Sequence, residues 1–186
     1  MEDFDPTRYE QGVTRVLELD GNGQRLMPLS SEECSSPEAR RLLRTSEPAQ
    51  LFPGVKQPES AMAGLWLYFS CFEEAHELVS NCKSSESHLW HAILHRQEPD
   101  PGNAAYWFRK VSAHPVFPKL AAAAAEILRT HPDAEFRTSR REWDPYSFVA
   151  FCDRARIQPG SSQEIAAREI QRAEWQLLFD YCARPR

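Results

Sequence analysis

"WHAILHRQEPDPGNAAYWFRK", residues 90–110, is the stretch that decides the fold of this chain of 186 residues. Apolar residues recur on both sides of its Pro-Gly break with the 3.6-residue period of an α-helix. Asp100 can cap a helix, and Pro101 suits the first position of one. The stretch therefore predicts two helices joined by a short turn.

Prolines also mark helix boundaries in the rest of the chain, which contains 14 prolines and only 7 glycines in total. Ser36 before Pro37 and Asp144 before Pro145 predict two more helix starts. Ser161 and Glu164 form a capping box at the start of a long last helix. Besides the helices of the opening stretch and the last helix, the pattern predicts helices over about 6–19, 37–44, 58–80, 117–130 and 145–157. We expect an all-α domain of six to eight irregularly packed helices.

One domain is expected over 1–186, with an N-terminal segment (1–57), core helices that carry the candidate site (58–131) and C-terminal helices (144–183). Residues 45–60 have the composition of an irregular loop. The N-terminal segment is ambiguous, because "DGNG" at 20–23 lies between two apolar runs and could form a short β-hairpin. We favour a helix that ends at these glycines.

Composition excludes several classes of protein. A hydrophobic content of 41% and a charged content of 26% are those of a soluble globular protein, and no apolar run reaches the length of a membrane span. A net charge of -5 without a basic stripe argues against nucleic-acid binding. Five scattered cysteines argue against a disulfide framework and favour a reducing compartment, so we expect the cytoplasm.

The helix predicted just before Pro101 has two distinct sides. At 3.6 residues per turn, an apolar side contains Leu89, Trp90, Ile93 and Leu94. A polar side within an arc of about 80° contains His88, His91, His95 and Glu98. This polar side would be either the wall of a pocket or a face in contact with solvent, as on any surface helix.

Metal binding is one interpretation of the polar side. His91 and His95 are four residues apart, which presents both imidazoles to one point. Glu73 and His76 form a Glu-x-x-His pair of the kind found in di-iron helical bundles. A divalent transition metal would be bound by His76, His91 and His95, with Glu73 or Glu98 as a fourth ligand. Alternatively, His76 is a core imidazole with a hydrogen bond to a neighbour.

A metal-free pocket for a small polar or anionic ligand is the second interpretation. Its further candidate residues share polar or aromatic side chains close to the histidines. Arg96, Asn103, Tyr106 and Arg109 would orient the ligand, and Trp90 and Trp107 would form the walls. No P-loop, GxSxG or GxGxxG motif is present, so the sequence decides neither for nor against an enzyme. The alternative to both interpretations is a non-catalytic protein-interaction domain of the helical-hairpin type, in which the histidines are structural.

Two resemblances concern the same stretch. Residues 88–111 resemble the helical hairpin of a tetratricopeptide-type repeat, without a second copy. From about Gly64 to Lys119, the chain resembles an uncharacterised family of bacterial helical proteins with the pattern W-H-x-I-x-H-R-x-E-x-D-x-x-N-A-x-Y-W-x-R-x-V-x-x-H-P. The pattern falls on Trp90, His91, Ile93, His95, Arg96, Glu98, Asp100, Asn103, Ala104, Tyr106, Trp107, Arg109, Val111, His114 and Pro115, with Glu74 and His76 upstream. The resemblance implies candidate pocket residues and no reaction.

Overall fold

Ten α-helices and two 3₁₀ turns form the regular structure of the computed structural model, which describes residues 4–111, 113–138 and 141–185. No strand occurs in these ranges, so the predicted all-α class is confirmed. The helices are α1 (Gln11–Glu18), α2 (Pro37–Arg44), α3 (Pro48–Leu51), α4 (Pro58–Tyr68), α5 (Phe72–Ser80), α6 (Ser85–Gln97), α7 (Pro101–Val111), α8 (Phe117–Thr130), α9 (Pro145–Ala155) and α10 (Ser162–Ala183). None of these helices combines the length and apolarity needed to cross a membrane.

The "DGNG" segment ends a helix and does not form a hairpin. Gly21, Asn22 and Gly23 all have positive φ angles, of 70°, 53° and 80°, a conformation that cannot continue a right-handed helix. The buried hydroxyl of Tyr68 accepts hydrogen bonds from the backbone N–H of Gly23 at 3.0 Å and of Arg25 at 3.1 Å. The turn is therefore held against the end of α4.

The prediction of a single helix over 58–80 is wrong, because the chain turns between α4 and α5. Ser70 has a φ of 58°, and the N–H of Cys71 donates to the carbonyl of Trp66 at 2.9 Å. The N–H of Ser70 donates to the carbonyl of Leu67 at 3.0 Å, which completes a Schellman motif with serine where glycine is usual. The apolar period continues across the break, so periodicity could not reveal it.

Most other predicted helix starts are confirmed by side-chain caps. Each capping oxygen accepts a backbone N–H two or three residues further on: Ser36 from Ala39, Asp100 from Asn103, Asp144 from Tyr146 and Ser161 from Glu164. The predicted loop over 45–60 differs in that it contains the four-residue α3 and the first turn of α4.

The core is continuous from α1 to α10. One apolar cluster is centred on α4 and α6, the other on α8, α9 and α10, and Phe117 and Leu177 pack against both. The two clusters meet across α10. Trp90 of α6 lies on Gly64 of α4, where an added Cβ would stand 2.7 Å from the indole. Only glycine therefore fits at position 64 without moving α6.

A buried ion pair joins α6 to α10. The guanidinium of Arg96 donates to both carboxylate oxygens of Glu174, to Oε1 at 3.1 Å, and both side chains are 1% exposed. Gln171 accepts a further hydrogen bond at 3.4 Å, and the guanidinium lies 4.6 Å from the ring centroid of Phe148. The charge is thus compensated on several sides, as a buried charge requires.

Two of the five scattered cysteines are paired, although the sequence predicts no disulfide framework. Cys34 and Cys71, which are 37 residues apart in sequence, form a disulfide. It joins the segment before α2 to the residue that precedes α5. Spacing in the sequence could not reveal this contact, because the two residues meet only through the tertiary fold.

We expect Glu174→Ala to destabilise the protein by about 3–5 kcal/mol, because it leaves the Arg96 guanidinium buried without its counter-charge. Urea unfolding followed by circular dichroism measures the loss. Glu126→Ala is the matched control, since it removes an exposed ion pair with Arg129 and should cost less than about 1 kcal/mol. Equal losses in the two variants would contradict the structural role of Arg96–Glu174.

Candidate metal centre

Three histidines from two consecutive helices converge at one point. His76 lies on α5, and His91 and His95 lie one turn apart on α6. The short connection 81–84 folds α6 back against α5, so the polar side of α6 faces the neighbouring helix. His91 and His95 are 4% and 6% exposed, so the polar side is buried and does not face solvent.

The ligand nitrogens of these histidines all lie within 4.8 Å of one another. The Nε2 atoms of His76 and His91 are 3.0 Å apart. The rings of His91 and His95 are stacked, with centroids 4.8 Å apart, and the ring of His76 stands at 80° to both. The lone pairs of three imidazoles can therefore be directed to one point by small side-chain rotations.

Glu98 orients the third imidazole. Its Oε2 lies 2.9 Å from Nδ1 of His95, and the amide nitrogen of Asn103 lies 3.4 Å from the same ring nitrogen. When Nδ1 carries the proton and donates it to the carboxylate, Nε2 keeps its lone pair. Metal-binding histidines usually have such a partner, which fixes the tautomer and raises the basicity of the ring.

Trp107 covers the cluster from α7. Its indole stacks on the ring of His91 with centroids 3.9 Å apart and the planes at 17°. His88 packs on the same indole at 5.2 Å, and its ring is not part of the converging group. The indole removes the imidazole of His91 from water on that side.

Burial disfavours the charged form of both His91 and His95. Burial, reinforced by His95, His76 and His88, lowers the pKa of His91 to about 3. Burial also lowers the pKa of His95, against the opposing effect of Glu98. For His91 the pKa is below the ordinary value of about 6.5, so its contribution to stability is complete above pH 6.5 and is lost as the pH falls towards 3. Neutral imidazole is the form that binds a metal.

Hydrogen bonding within the protein does not satisfy the cluster. In the described part of the chain, Nδ1 of His91 is buried and has no hydrogen-bond partner. The same holds for Nε of Arg96 and Nε1 of Trp90 on the core side of α6, so the spacing of the ligand nitrogens is the stronger observation. Tetrahedral zinc with bonds of about 2.0–2.1 Å needs ligand nitrogens about 3.3 Å apart. The 3.0 Å between His76 and His91 is close to this requirement, and His95 has to move inward.

The two predicted acidic ligands have different surroundings. Glu98 contacts His95 and is 37% exposed. The Glu73 side chain is 92% exposed, and its carboxylate lies 3.8 Å from the guanidinium of Arg40. Glu98 is therefore the carboxylate that adjoins the histidines, in the position of a group that orients a ligand.

The other predicted pocket residues are divided between the cluster and the rest of the molecule. Trp107 and Asn103 contact the histidines. Tyr106 is 44% exposed and meets the edge of Trp107 at 5.3 Å. Arg109 is exposed on the same helix. Within the described ranges, no hydrogen bond joins Arg96 or Arg109 to the three imidazoles.

Trp90 and Arg96 lie on the core side of α6. Trp90 contacts Gly64, and Arg96 is paired with Glu174. Helical phase carries a signal for this placement, because Arg96 is three residues after Ile93 and therefore on the apolar side. Glu174 likewise follows Ile170 by four residues. Arg96, which the sequence predicts as a ligand-orienting residue, instead pairs with Glu174 in the core.

Comparison with known proteins finds no protein-family model, no curated protein and no solved structure that matches the chain. The resemblance to an uncharacterised bacterial helical family stays a prediction from the sequence.

We expect the C2 proton of His91 to keep one chemical shift from pH 8 to pH 5 in NMR spectra of the metal-free protein. The physical reason is that burial of the ring, reinforced by the neighbouring imidazoles, lowers the pKa of His91 to about 3. The His91→Gln variant, which lacks the resonance, assigns it. A titration midpoint above pH 6 would contradict the buried, neutral state of this ring.

Proposed function

We propose that His76, His91 and His95 bind a divalent transition metal, for which Zn²⁺ is the best match. The observation that carries the proposal is the convergence of three imidazoles from α5 and α6 with ligand nitrogens within 4.8 Å. Imidazole nitrogen suits zinc and its neighbours in the first transition series, whereas magnesium and calcium prefer oxygen ligands.

Three protein ligands would leave a coordination position open. Structural zinc sites are closed by four protein ligands, while catalytic sites have three and keep a position for water or substrate. A small polar or anionic ligand would then bind through the metal rather than through an arginine. This is supported by the pairing of Arg96 with Glu174 and by the exposure of Arg109. The reaction class stays open.

Glu98 would act on the metal through His95. A carboxylate that accepts the Nδ1 proton strengthens the opposite nitrogen as a ligand. The separation of 2.9 Å between Glu98 and His95 supports this role.

The cytoplasm is our proposed location, with no nucleic acid as partner. The net charge of -5 supports the second part, and the free cysteines Cys82, Cys152 and Cys182 support the first. Stable disulfides belong to oxidising compartments, but cytosolic disulfides do occur and are usually transient or redox-sensing. The Cys34–Cys71 bond is therefore compatible with a cytoplasmic protein only as a reversible bond.

We expect protein purified without nickel and treated with a chelator to bind one equivalent of Zn²⁺. Zinc at a hundred times its Kd should stabilise the fold by about 2.7 kcal/mol, which raises the Tm by roughly 5–10 °C for a chain of this size. Metal analysis and a thermal scan measure both effects. The His91→Ala/His95→Ala variant should lose them.

His88→Ala is the matched control, because His88 lies on the same helix and the same indole but outside the cluster. His76→Ala tests the site while leaving the buried side chains of α6 in place. If His76→Ala and His91→Ala/His95→Ala keep the zinc content and the zinc-induced Tm shift of the wild type, this site is excluded. A folded wild-type protein that binds no divalent transition metal would favour the interaction-domain alternative.

Glu98→Gln should weaken zinc binding by about 10–100-fold, because the amide no longer accepts the proton of His95 as a carboxylate does. Competition with a chromophoric chelator measures the affinity. Glu73→Gln is the control for charge, since that carboxylate faces Arg40 and solvent. A loss of affinity in Glu73→Gln as large as in Glu98→Gln would show that the effect is only long-range electrostatics.

A further inference from the structure

The segment 28–36, which we call the strap, holds the ends of both histidine-bearing helices. Near the end of α6, the N–H of Ser31 donates to the carbonyl of Gln97 at 2.7 Å. The side-chain amide of Gln97 returns a hydrogen bond to the carbonyl of Pro28 at 3.3 Å. The strap is thus fastened two residues after His95.

At its other end the strap is fastened to the start of α5. The N–H of Ser35 donates to the carbonyl of Phe69 at 2.7 Å, and Cys34 forms the disulfide with Cys71. Cys71 is the N-cap residue of α5, five positions before His76. The strap therefore connects the helix of His76 to the helix of His91 and His95 by one covalent bond and several hydrogen bonds.

α5 is less deeply buried than α6. Only Ala75 and Val79 are buried among its nine residues, whereas α6 buries ten of its thirteen. α5 also packs Phe72 and Leu78 against the core, and Oε1 of its Glu74 lies 2.6 Å from Arg40 and 2.8 Å from Arg44 on α2. Segments with few buried contacts open locally at low free-energy cost. The strap is therefore one of the attachments that hold α5, and with it His76, in place.

We infer that reduction of the Cys34–Cys71 disulfide lowers the metal affinity of the three-histidine site, so that the strap makes metal binding redox-sensitive. This inference rests on the metal site proposed above. In the oxidised protein, α5 is held where His76 meets His91. In the reduced protein, the metal has to order the start of α5 when it binds. A metal site needs ligands held within about 0.5 Å, so the added freedom weakens binding.

The bond is open to chemical reduction. Both cysteines line a cleft of about 890 Å³, which also reaches Glu98. Cys71 is 2% exposed, while Cys34 is half-buried and is the sulfur that an incoming thiol reaches first.

The reductant would be a small dithiol. Its thiolate attacks Sγ of Cys34, the S–S bond breaks, and Cys71 leaves as a thiolate that takes up a proton. The second thiol of the reductant then displaces Cys34 from the mixed disulfide. Two electrons and two protons pass to the protein, and the reductant becomes a disulfide.

The test compares Zn²⁺ affinity in the oxidised full-length protein and in the Cys34→Ser/Cys71→Ser variant, by competition with a chromophoric chelator. Serine replaces the thiols so that no released thiolate can act as a new ligand and no reductant has to be added. We expect the double variant to bind zinc at least tenfold more weakly, with α-helical content unchanged. Cys82→Ser is the matched control, because Cys82 is a free cysteine next to the same helix, and it should bind as the wild type does.

The outcomes separate the two proposals. If the oxidised wild type binds zinc and the double variant binds it equally well, the redox inference is wrong and the metal site stands. If the oxidised wild type binds no zinc, both proposals fall. Tighter binding by the double variant also overturns the inference.

If the double variant does not fold, a second measurement on the wild-type protein tests the inference. Linkage requires that a metal favouring the oxidised form also protects that form. Saturating zinc should therefore shift the equilibrium between the disulfide and the free thiols of the wild-type protein at least tenfold towards the disulfide, as measured by thiol labelling in a glutathione redox buffer. The His91→Ala/His95→Ala variant is the control, and its labelling should not respond to zinc. Equal labelling of the wild type with and without zinc contradicts the inference.

Discussion

The ion pair between Arg96 and Glu174 is the constraint on which the arrangement of the other helices depends. A guanidinium that is 1% exposed must keep its carboxylate partner, because an unpaired buried charge costs several kcal/mol. The pair therefore sets the rotation of α6 about its own axis. With Arg96 directed to α10, the opposite side of α6, which carries His91 and His95, is directed to α5 and α7. Glycine at position 64 then allows α6 to approach α4 closely enough for Trp90 to be buried.

α6 consequently buries polar groups on two sides, and the two sides differ in character. On the α10 side, the carboxylate, Gln171 and the ring of Phe148 compensate the charge of Arg96. On the α5 side, three imidazoles lie together and a ring nitrogen of His91 has no partner in the described part of the chain. Each side leaves one buried nitrogen without a partner in the described residues, so hydrogen bonding does not separate them. What sets the α5 side apart is the convergence of three imidazole nitrogens, which are metal-ligand atoms, and this is the physical ground for placing function there.

Much of the fold could be predicted from local patterns, and the exceptions have identifiable causes. Helix starts at Ser36, Asp144 and Ser161 follow from the chemistry of capping, which involves only neighbouring residues. The break at Ser70 could not be predicted, because serine carries no strong preference for the left-handed conformation it adopts there. The candidate site was predictable in part. The spacing of His91 and His95 placed both rings together, but nothing local showed that Glu73 would turn to Arg40 and Glu98 to His95.

The sequence by itself determined the all-α class, most of the helical segments and which residues share a face of each helix, because period and caps act over a few neighbouring positions. It also placed His91, His95 and Glu98 on one side of α6. Only the tertiary structure decided what that side faces. The approach of His76, the stacking of Trp107, the burial of Arg96 against Glu174 and the bond between Cys34 and Cys71 all join residues on different helices or segments. Such contacts depend on how the whole core packs, and no local pattern carries that information.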